Sequence, residues 1–160
     1  MIDVYQQKSL NYFEVVKDVI RKYLDLNVFD AGSFEIPANA YNPLRQQYNA
    51  MHIINYLITL SEKKKAMKLG IVDVDIYSQG MNFIFGLAAP LQKTALVSTH
   101  RLFGERLLER ISKEVIHELG HLLGLRHCSN EKCVMRFSMT IQDTDDKDLG
   151  FCKECRSKIE

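Results

Sequence analysis

Hydrophobic and polar positions alternate over Ile2–Gln6 (IDVYQ), which predicts a short opening strand. Leu10, Phe13, Val16, Val19, Ile20, Tyr23 and Leu24 then recur at steps of three or four, the spacing that lines one face of an α-helix. NVFDAGSFEIP (27–37) reads as strand material broken by Gly32 and closed by Pro37. Pro43 suits the first turn of a second helix, which carries Met51, Ile54, Leu57 and Ile58 and is expected to reach Lys65. LGIVDVDIY (69–77) alternates and is β-branched, so it is expected as one strand, with NFIFG (82–86) and TALVST (94–99) as two more. From Glu105 to Leu123 the apolar positions Leu107, Leu108, Ile111, Val115, Leu119 and Leu122 form a helical stripe. After Cys128 the pattern is irregular until DTDDKDLGFCKECRSKIE (143–160), where acids precede bases in the sense that favours a helix dipole.

The order β-α-β-α-β-β-β-α followed by a small tail predicts an α/β fold: a twisted mixed sheet flanked by helices, with a third helix feeding a compact C-terminal section. With 160 residues and no linker, repeat or low-complexity tract, one domain is expected. Residues 1–124 would form its sheet-bearing part and 125–160 a C-terminal subdomain. A formal net charge of +1 gives no reason to expect nucleic acid or an anionic membrane as partner. The amino-terminal stretch lacks the basic-then-apolar pattern of a secretory signal, and no apolar run is long enough to span a bilayer. A cytoplasmic protein, acting as a monomer, is the expectation. In that compartment disulfides are rare, so the four cysteines, all within residues 128–155, call for another explanation.

HELGHLLGLRHC (117–128) supplies the chemistry. On a helix, His117 and His121 lie about 40° apart around the axis and about 6 Å apart along it, so both imidazoles reach one metal ion. Glu118 lies about 100° from His117, poorly placed as a ligand but suited to act beside the metal. This His-Glu-x-x-His pattern is that of zinc hydrolases with glutamate as general base. On a continuing helix His127 would stand about 15 Å from His117, far beyond a zinc–nitrogen bond of roughly 2 Å. Gly124 is the residue able to end the helix in a left-handed conformation and swing His127 back. His52 and His100 stand alone and read as structural or surface residues.

Cys128 and Cys133, then Cys152 and Cys155, form two close pairs across an irregular loop, the spacing of a four-thiolate structural zinc site. A redox dithiol at Cys152 and Cys155 would need a strand–helix context that is missing, and would leave the other pair unexplained. DTDDKD is a poor calcium loop, because Asp148 stands where the sharp-turn glycine belongs and no closing glutamate follows.

HELGHLLGLRH, then CSNEKC, then VM, then FCKEC closely resembles the archaemetzincins, a branch of the metzincin metallopeptidases. The diagnostic part spans residues 117–155, and LGIVDVDIYSQGMNFIFG upstream is similar to that family's strand region. The resemblance implies a metzincin-like zincin fold and two zinc ions per chain. His117, His121 and His127 would hold the catalytic zinc, with Glu118 as the base. Cys128, Cys133, Cys152 and Cys155 would hold the structural one. Met135 would supply the methionine of the Met-turn beneath the catalytic metal, with Met139 as a possible substitute. His127 and Cys128 would then tie the two metals together.

The expected activity is hydrolysis of peptide bonds in a peptide or protein substrate through a zinc-activated water, with aminopeptidase-like action on short peptides implied weakly by the family. Asn82, Phe83, Ile84, Phe85 and Gly86 are candidate substrate-binding residues, on a strand able to pair with an extended peptide; an ordinary core strand is the competing reading. Two other functions stay open. One is a zinc-binding protein of metzincin fold with little or no proteolysis, against which Glu118 argues. The other is a nucleic-acid-binding zinc module, for which interspersed acids and the lack of an aromatic platform leave little support.

Overall fold

The computed structural model describes residues 1–61 and 65–160. In chain order its elements are β1 (Ile2–Gln7), α1 (Phe13–Leu24), β2 (Val28–Phe34), β3 (Tyr41–Asn42), β4 (Gln47–Asn49), α2 (Ala50–Thr59) and β5 (Met67–Val72). They continue with β6 (Ile76–Tyr77), β7 (Gly86–Ala89), β8 (Thr94–Ser98), α3 (Leu107–Leu122), α4 (Ile141–Asp146) and α5 (Lys153–Ile159).

Five strands form the main sheet in the order β2-β1-β5-β8-β7. All neighbours are parallel except β7, which runs antiparallel to β8 and forms one edge. Both faces of this sheet are covered, which is why its inner strands read as near-continuous apolar runs. Ile2, Val4, Leu69, Ile71, Ala95 and Val97 point into the core shared with α1 and α3. Tyr5, Val72 and Leu96 point the other way, against Ile53, Ile54 and Leu57 of α2. The period of two along each strand thus sorts one apolar run between two cores. A smaller sheet, β3-β4-β6, flanks the first. Among the described residues no helix is long and apolar enough to cross a membrane.

Four sequence expectations are corrected by this architecture. The second helix begins at Ala50, not near Pro43. Residues 43–46 instead join β3 to β4: the Asn42 side chain accepts the N–H groups of Leu44 and Arg45, and Gln46 takes a positive φ of 55°. Asn49 caps α2 by accepting the His52 N–H at 3.1 Å, and a capping asparagine is a stronger helix start than a proline alone. The expected reach to Lys65 runs through residues outside those described.

LGIVDVDIY is two strands rather than one. It breaks after Val72 because Asp73 and Asp75 turn their carboxylates to partners off the ladder. Asp73 accepts from the Thr99 hydroxyl at 3.0 Å, and Asp75 accepts a two-pronged bond from Arg101 at 2.7 and 2.9 Å. That guanidinium, with a hydrogen bond from Gln47, holds the Asp75 carboxyl below its usual range against the opposing effect of burial, the largest single influence.

NFIFG is not a strand either. Ile84 makes one isolated bridge to Ile76, and the ladder starts only at Gly86. Side-chain donors occupy the backbone that a neighbouring strand would need: Arg45 binds the carbonyls of Met81 and Asn82, and Gln47 binds that of Asn82 at 2.8 Å. Finally, the expected terminal helix is divided into α4 and α5. Between them, Asp148 donates its N–H to Lys132 and the Gly150 carbonyl accepts from Val134.

Candidate active site and metal centre

The long helix α3 presents a polar stripe that is buried rather than solvated. Arg110, Glu114, His117 and His121 follow one another at helical spacing, with Lys113 and Glu118 beside them. The C-terminal section lies over this stripe. Arg110 grips Asp145 of α4 in a two-pronged ion pair, both bonds 2.8 Å. Lys113 donates to the carbonyls of Thr144 and Asp145. Glu114 binds the Lys147 ammonium at 3.1 Å and the Thr144 hydroxyl at 3.0 Å, with Lys147 only 1% exposed. Lys147 also donates to the Arg136 carbonyl at 3.1 Å, which ties the pair to the chain just after Met135. The first two acids of DTDD are therefore spent on a cap and ion pairs, Asp145 on Arg110 and Asp143 on a capping box with Thr140 and on Arg136 at 2.9 Å, while Asp146 accepts from the Gln142 amide.

At its C-terminus α3 stops as its glycine requires. Gly124 has φ of 98°, a left-handed value that costs a residue with a Cβ roughly 1 kcal/mol or more. Its N–H donates to the His121 carbonyl, and the Leu125 N–H donates to the Gly120 carbonyl, each at 3.0 Å. This pair of backward bonds is the Schellman termination, and it turns the chain through Leu125 and Arg126 so that His127 comes back over the helix. The His127 ring lies 4.8 Å from the His121 ring and 5.3 Å from the His117 ring, with Phe137 against it at 5.0 Å.

The three imidazoles converge, and the tautomers of the two on the helix are set. His117 and His121 turn Nδ1 to the carbonyls of Val134 and Leu125, both at 2.8 Å, so Nδ1 carries the proton and Nε2 is left as a lone-pair donor. Their Nε2 atoms stand 3.2 Å apart. Two nitrogens bound at about 2.05 Å to one tetrahedral ion are separated by about 3.3 Å. Burial pushes all three imidazoles below their ordinary pKa, His117 furthest, and the Lys147 charge acts in the same direction. They are thus neutral bases, the form a metal takes.

Glu118 is buried behind them and lines the same cleft. Burial first, then the Glu114 charge, pushes its carboxyl well above the usual range, with Lys147 opposing. Room for that carboxylate is made by Gly86 at the start of β7. A Cβ there would stand 2.8 Å from Glu118 Oε1 and 2.7 Å from the Leu96 carbonyl oxygen. We expect Gly86→Ala to displace either the carboxylate or the edge strand, lowering stability by about 1–3 kcal/mol and peptide cleavage at least tenfold. Thermal melts and cleavage kinetics check this, and a variant matching the parent in both would refute it.

Met135 is wholly buried, with its sulfur against the bare Cα of Gly120, between the two helix histidines in sequence. Beyond it the four cysteines gather. Their sulfurs lie within 4.8 Å of one another, and Cys128 and Cys152 are 3.8 Å apart, the edge expected for thiolates bound at about 2.3 Å to a tetrahedral ion. The N–H groups of Met135 and Cys152 point at the Cys133 sulfur, and that of Cys155 at the Cys152 sulfur. The last of these lowers the Cys152 thiol pKa, while burial pushes Cys133 and Cys155 up. Only a cation in their midst would hold all four as thiolates.

The imidazoles and Glu118 open on a cleft of about 680 Å³. Of the stretch 82–86, Ile84, Phe85 and Gly86 line it, whereas Asn82 and Phe83 do not. Phe83 instead packs edge-on against Phe85 and under the Arg101 guanidinium. Sequence reasoning overlooked Leu87 and Ala88 on the edge strand, Glu114 on α3 and Ser138 beyond Met135, all lining the cleft. The signal for Glu114 lay three residues before His117, as a carboxylate on the helix stripe that the apolar pattern left out.

A sheet with a histidine-bearing helix beneath its antiparallel edge strand, three histidines converging at the helix end and a glutamate beside them, is the architecture of a zinc metallopeptidase. Peptidase family M54 matches residues 3–160, and the chain belongs to that family. It is 42% identical over 149 residues to the archaemetzincin of Archaeoglobus fulgidus, covering 91% of this chain and 89% of that one. The crystal structure of archaemetzincin from the same organism superposes with a TM-score of 0.88 at 40% identity, covering 99% of this chain and all of the other. A zinc-dependent peptidase from Methanocorpusculum labreanum superposes with a TM-score of 0.90 at 27% identity, over the whole of both chains.

Proposed function

We propose that this zinc metallopeptidase hydrolyses peptide bonds with Glu118 as general base, acting on a peptide laid along the free edge of β7, and that it carries two zinc ions per chain. The observation that carries the reading is the placement of the Glu118 carboxylate: buried, against Gly86 of the edge strand, in the cleft where three imidazoles converge. When bound by His117, His121 and His127, zinc supplies a Lewis acid that polarises a carbonyl and lowers the pKa of water to about 7.

The rest of the chemistry belongs to the chain. Glu118, with its carboxyl raised by burial, takes a proton from the attacking water and returns it to the departing amine, which suits a base whose pKa is drawn towards neutrality. Val134 and Leu125 keep the histidine lone pairs aimed inward. Met135 floors the site. Among the described residues β7 pairs only with β8, so its other edge is free along the cleft, and an extended peptide can add to it as a further strand. Cys128, Cys133, Cys152 and Cys155 hold the second zinc and anchor the segment that carries His127. Glu114, the other acid lining the cleft, is neutralised by Lys147, so it offers a free amino terminus little attraction; cleavage within extended segments is favoured over aminopeptidase-like trimming.

Metal counting by mass spectrometry, combined with cleavage of a peptide library, tests this. The parent is expected to hold two zinc ions, and His127→Ala one, with the thiolate site intact and cleavage abolished. A parent with both metals but no cleavage of any peptide would favour a binding role instead.

A further inference from the structure

Three successive carbonyls after the cysteine loop each hold a different part of the site. That of Val134 accepts from Nδ1 of His117 at 2.8 Å. That of Met135 accepts the N–H of Cys128, the residue next to His127, at 3.0 Å. That of Arg136 accepts from the Lys147 ammonium at 3.1 Å, and the same ammonium pairs with Glu114 at 3.1 Å. Glu114 precedes His117 by three residues, so the two share one face of α3. Lys147 thus bridges the histidine face of α3 and the short segment whose carbonyls hold His117 and the chain beside His127.

Stability is a poor account of this lysine. It is the largest side chain wholly buried among the described residues, and its partner Glu114 is only 3% exposed. Taking both charges out of water costs about as much as their attraction returns, and an apolar pair of similar size would serve the fold equally well. The C-terminal section is also fastened to α3 by Arg110 and Asp145, a pair that touches none of the three carbonyls. What a satisfied buried ion pair supplies, and an apolar pair does not, is one fixed arrangement of its acceptors. We infer that Lys147 is a positioning residue for the imidazole group: by holding the Arg136 carbonyl against Glu114, it sets the 134–136 segment so that the Val134 carbonyl fixes the tautomer and direction of His117. The inference rests on the metal-centre reading above.

The test compares the full chain with Lys147→Met/Glu114→Gln, which removes both charges together and keeps an acceptor for the Thr144 hydroxyl. Asp145→Asn is the reference, because it loosens the same tail without touching the 134–136 segment. NMR of metal-free protein with ¹⁵N-labelled histidine gives the His117 tautomer. Cobalt(II) titration gives the affinity of the imidazole site from its d–d absorption, while a sulfur charge-transfer band marks the thiolate site separately. Cleavage by the zinc-loaded protein gives kcat and KM.

The double variant is expected to lose the single Nδ1–H tautomer of His117 and to bind cobalt about tenfold more weakly at the imidazoles, the lower end of what orienting partners of metal ligands contribute. Its thiolate site should be unchanged, and kcat should fall by about the same factor at constant KM. Asp145→Asn should lower the melting temperature yet keep the parental tautomer and affinity. A double variant that matches the parent in tautomer and affinity would overturn the inference. So would an Asp145→Asn protein with an equally weakened imidazole site, since attachment of the tail in general would then account for the effect. If the double variant does not fold, Glu114→Gln alone, which unties the ammonium from α3, is read in the same way. A parent that binds no cobalt at the imidazoles would remove the metal reading, and the tautomer comparison would still decide the role of Lys147.

Discussion

Glu118→Ala is expected to lower kcat by about 10²–10⁴-fold while the protein keeps both zinc ions. The separation of the two effects is the point. Glu118 contributes no ligand atom to the imidazole group, which among the described residues consists of His117, His121 and His127. Nor does it hold the helix together: its carboxylate is buried in the cleft wall with its charge opposed by solvent exclusion and by Glu114. Removing it takes away the proton carrier and relieves an unfavourable buried charge, so the melting temperature of the metal-stripped variant should not fall. Glu118→Gln makes the same comparison with side-chain volume retained. Kinetics on one peptide, with zinc counted on the same sample, decide the matter: cleavage unchanged in either variant would remove Glu118 from the mechanism, and a lost metal would make it a structural residue.

The largest expected change in stability belongs to the cysteine cluster. Cys133→Ser should lose one zinc ion per chain and lower the melting temperature by well over 10 °C. Four-thiolate zinc contributes apparent energies of about 10–16 kcal/mol in small peptides. Here the tail is also fastened to α3 by Arg110–Asp145 and Glu114–Lys147, so only part of that is at stake. Even about 5 kcal/mol corresponds to roughly 10–20 °C for a domain of this size. Cys133 is the cysteine to change, because it is 1% exposed and its sulfur also accepts two backbone N–H groups. Cleavage should fall with it, since His127 adjoins Cys128 and loses its anchor. A Cys133→Ser protein that melts like the parent and still binds two zinc ions would show that the thiols hold no structural metal.

Much of the site was legible because its geometry is local. Four residues along a helix place two imidazoles together whatever surrounds them, and a glycine just past the helix end turns the chain by its own backbone freedom. Close cysteine pairs likewise carry their spacing with them, and the apolar periods located most helices and the inner strands. Where local rules competed, the reading slipped. Pro43 lost the helix start to Asn49, whose side chain caps α2, and NFIFG lost its ladder to Arg45 and Gln47, which arrive from β4 and its turn to occupy carbonyls at 81 and 82.

What the chain alone made legible, then, is the candidate ligand set and the positions of the long helices and inner strands, since these depend on spacings of a few residues. Tertiary structure alone decided which polar groups are buried and what they face: that Gly86, 32 positions before Glu118 in the numbering, makes room for its carboxylate, that Lys147 neutralises Glu114 beneath the cleft, and that Ser138 is buried there without a partner. Burial and pairing are sums over neighbours distant in sequence, so no local pattern encodes them.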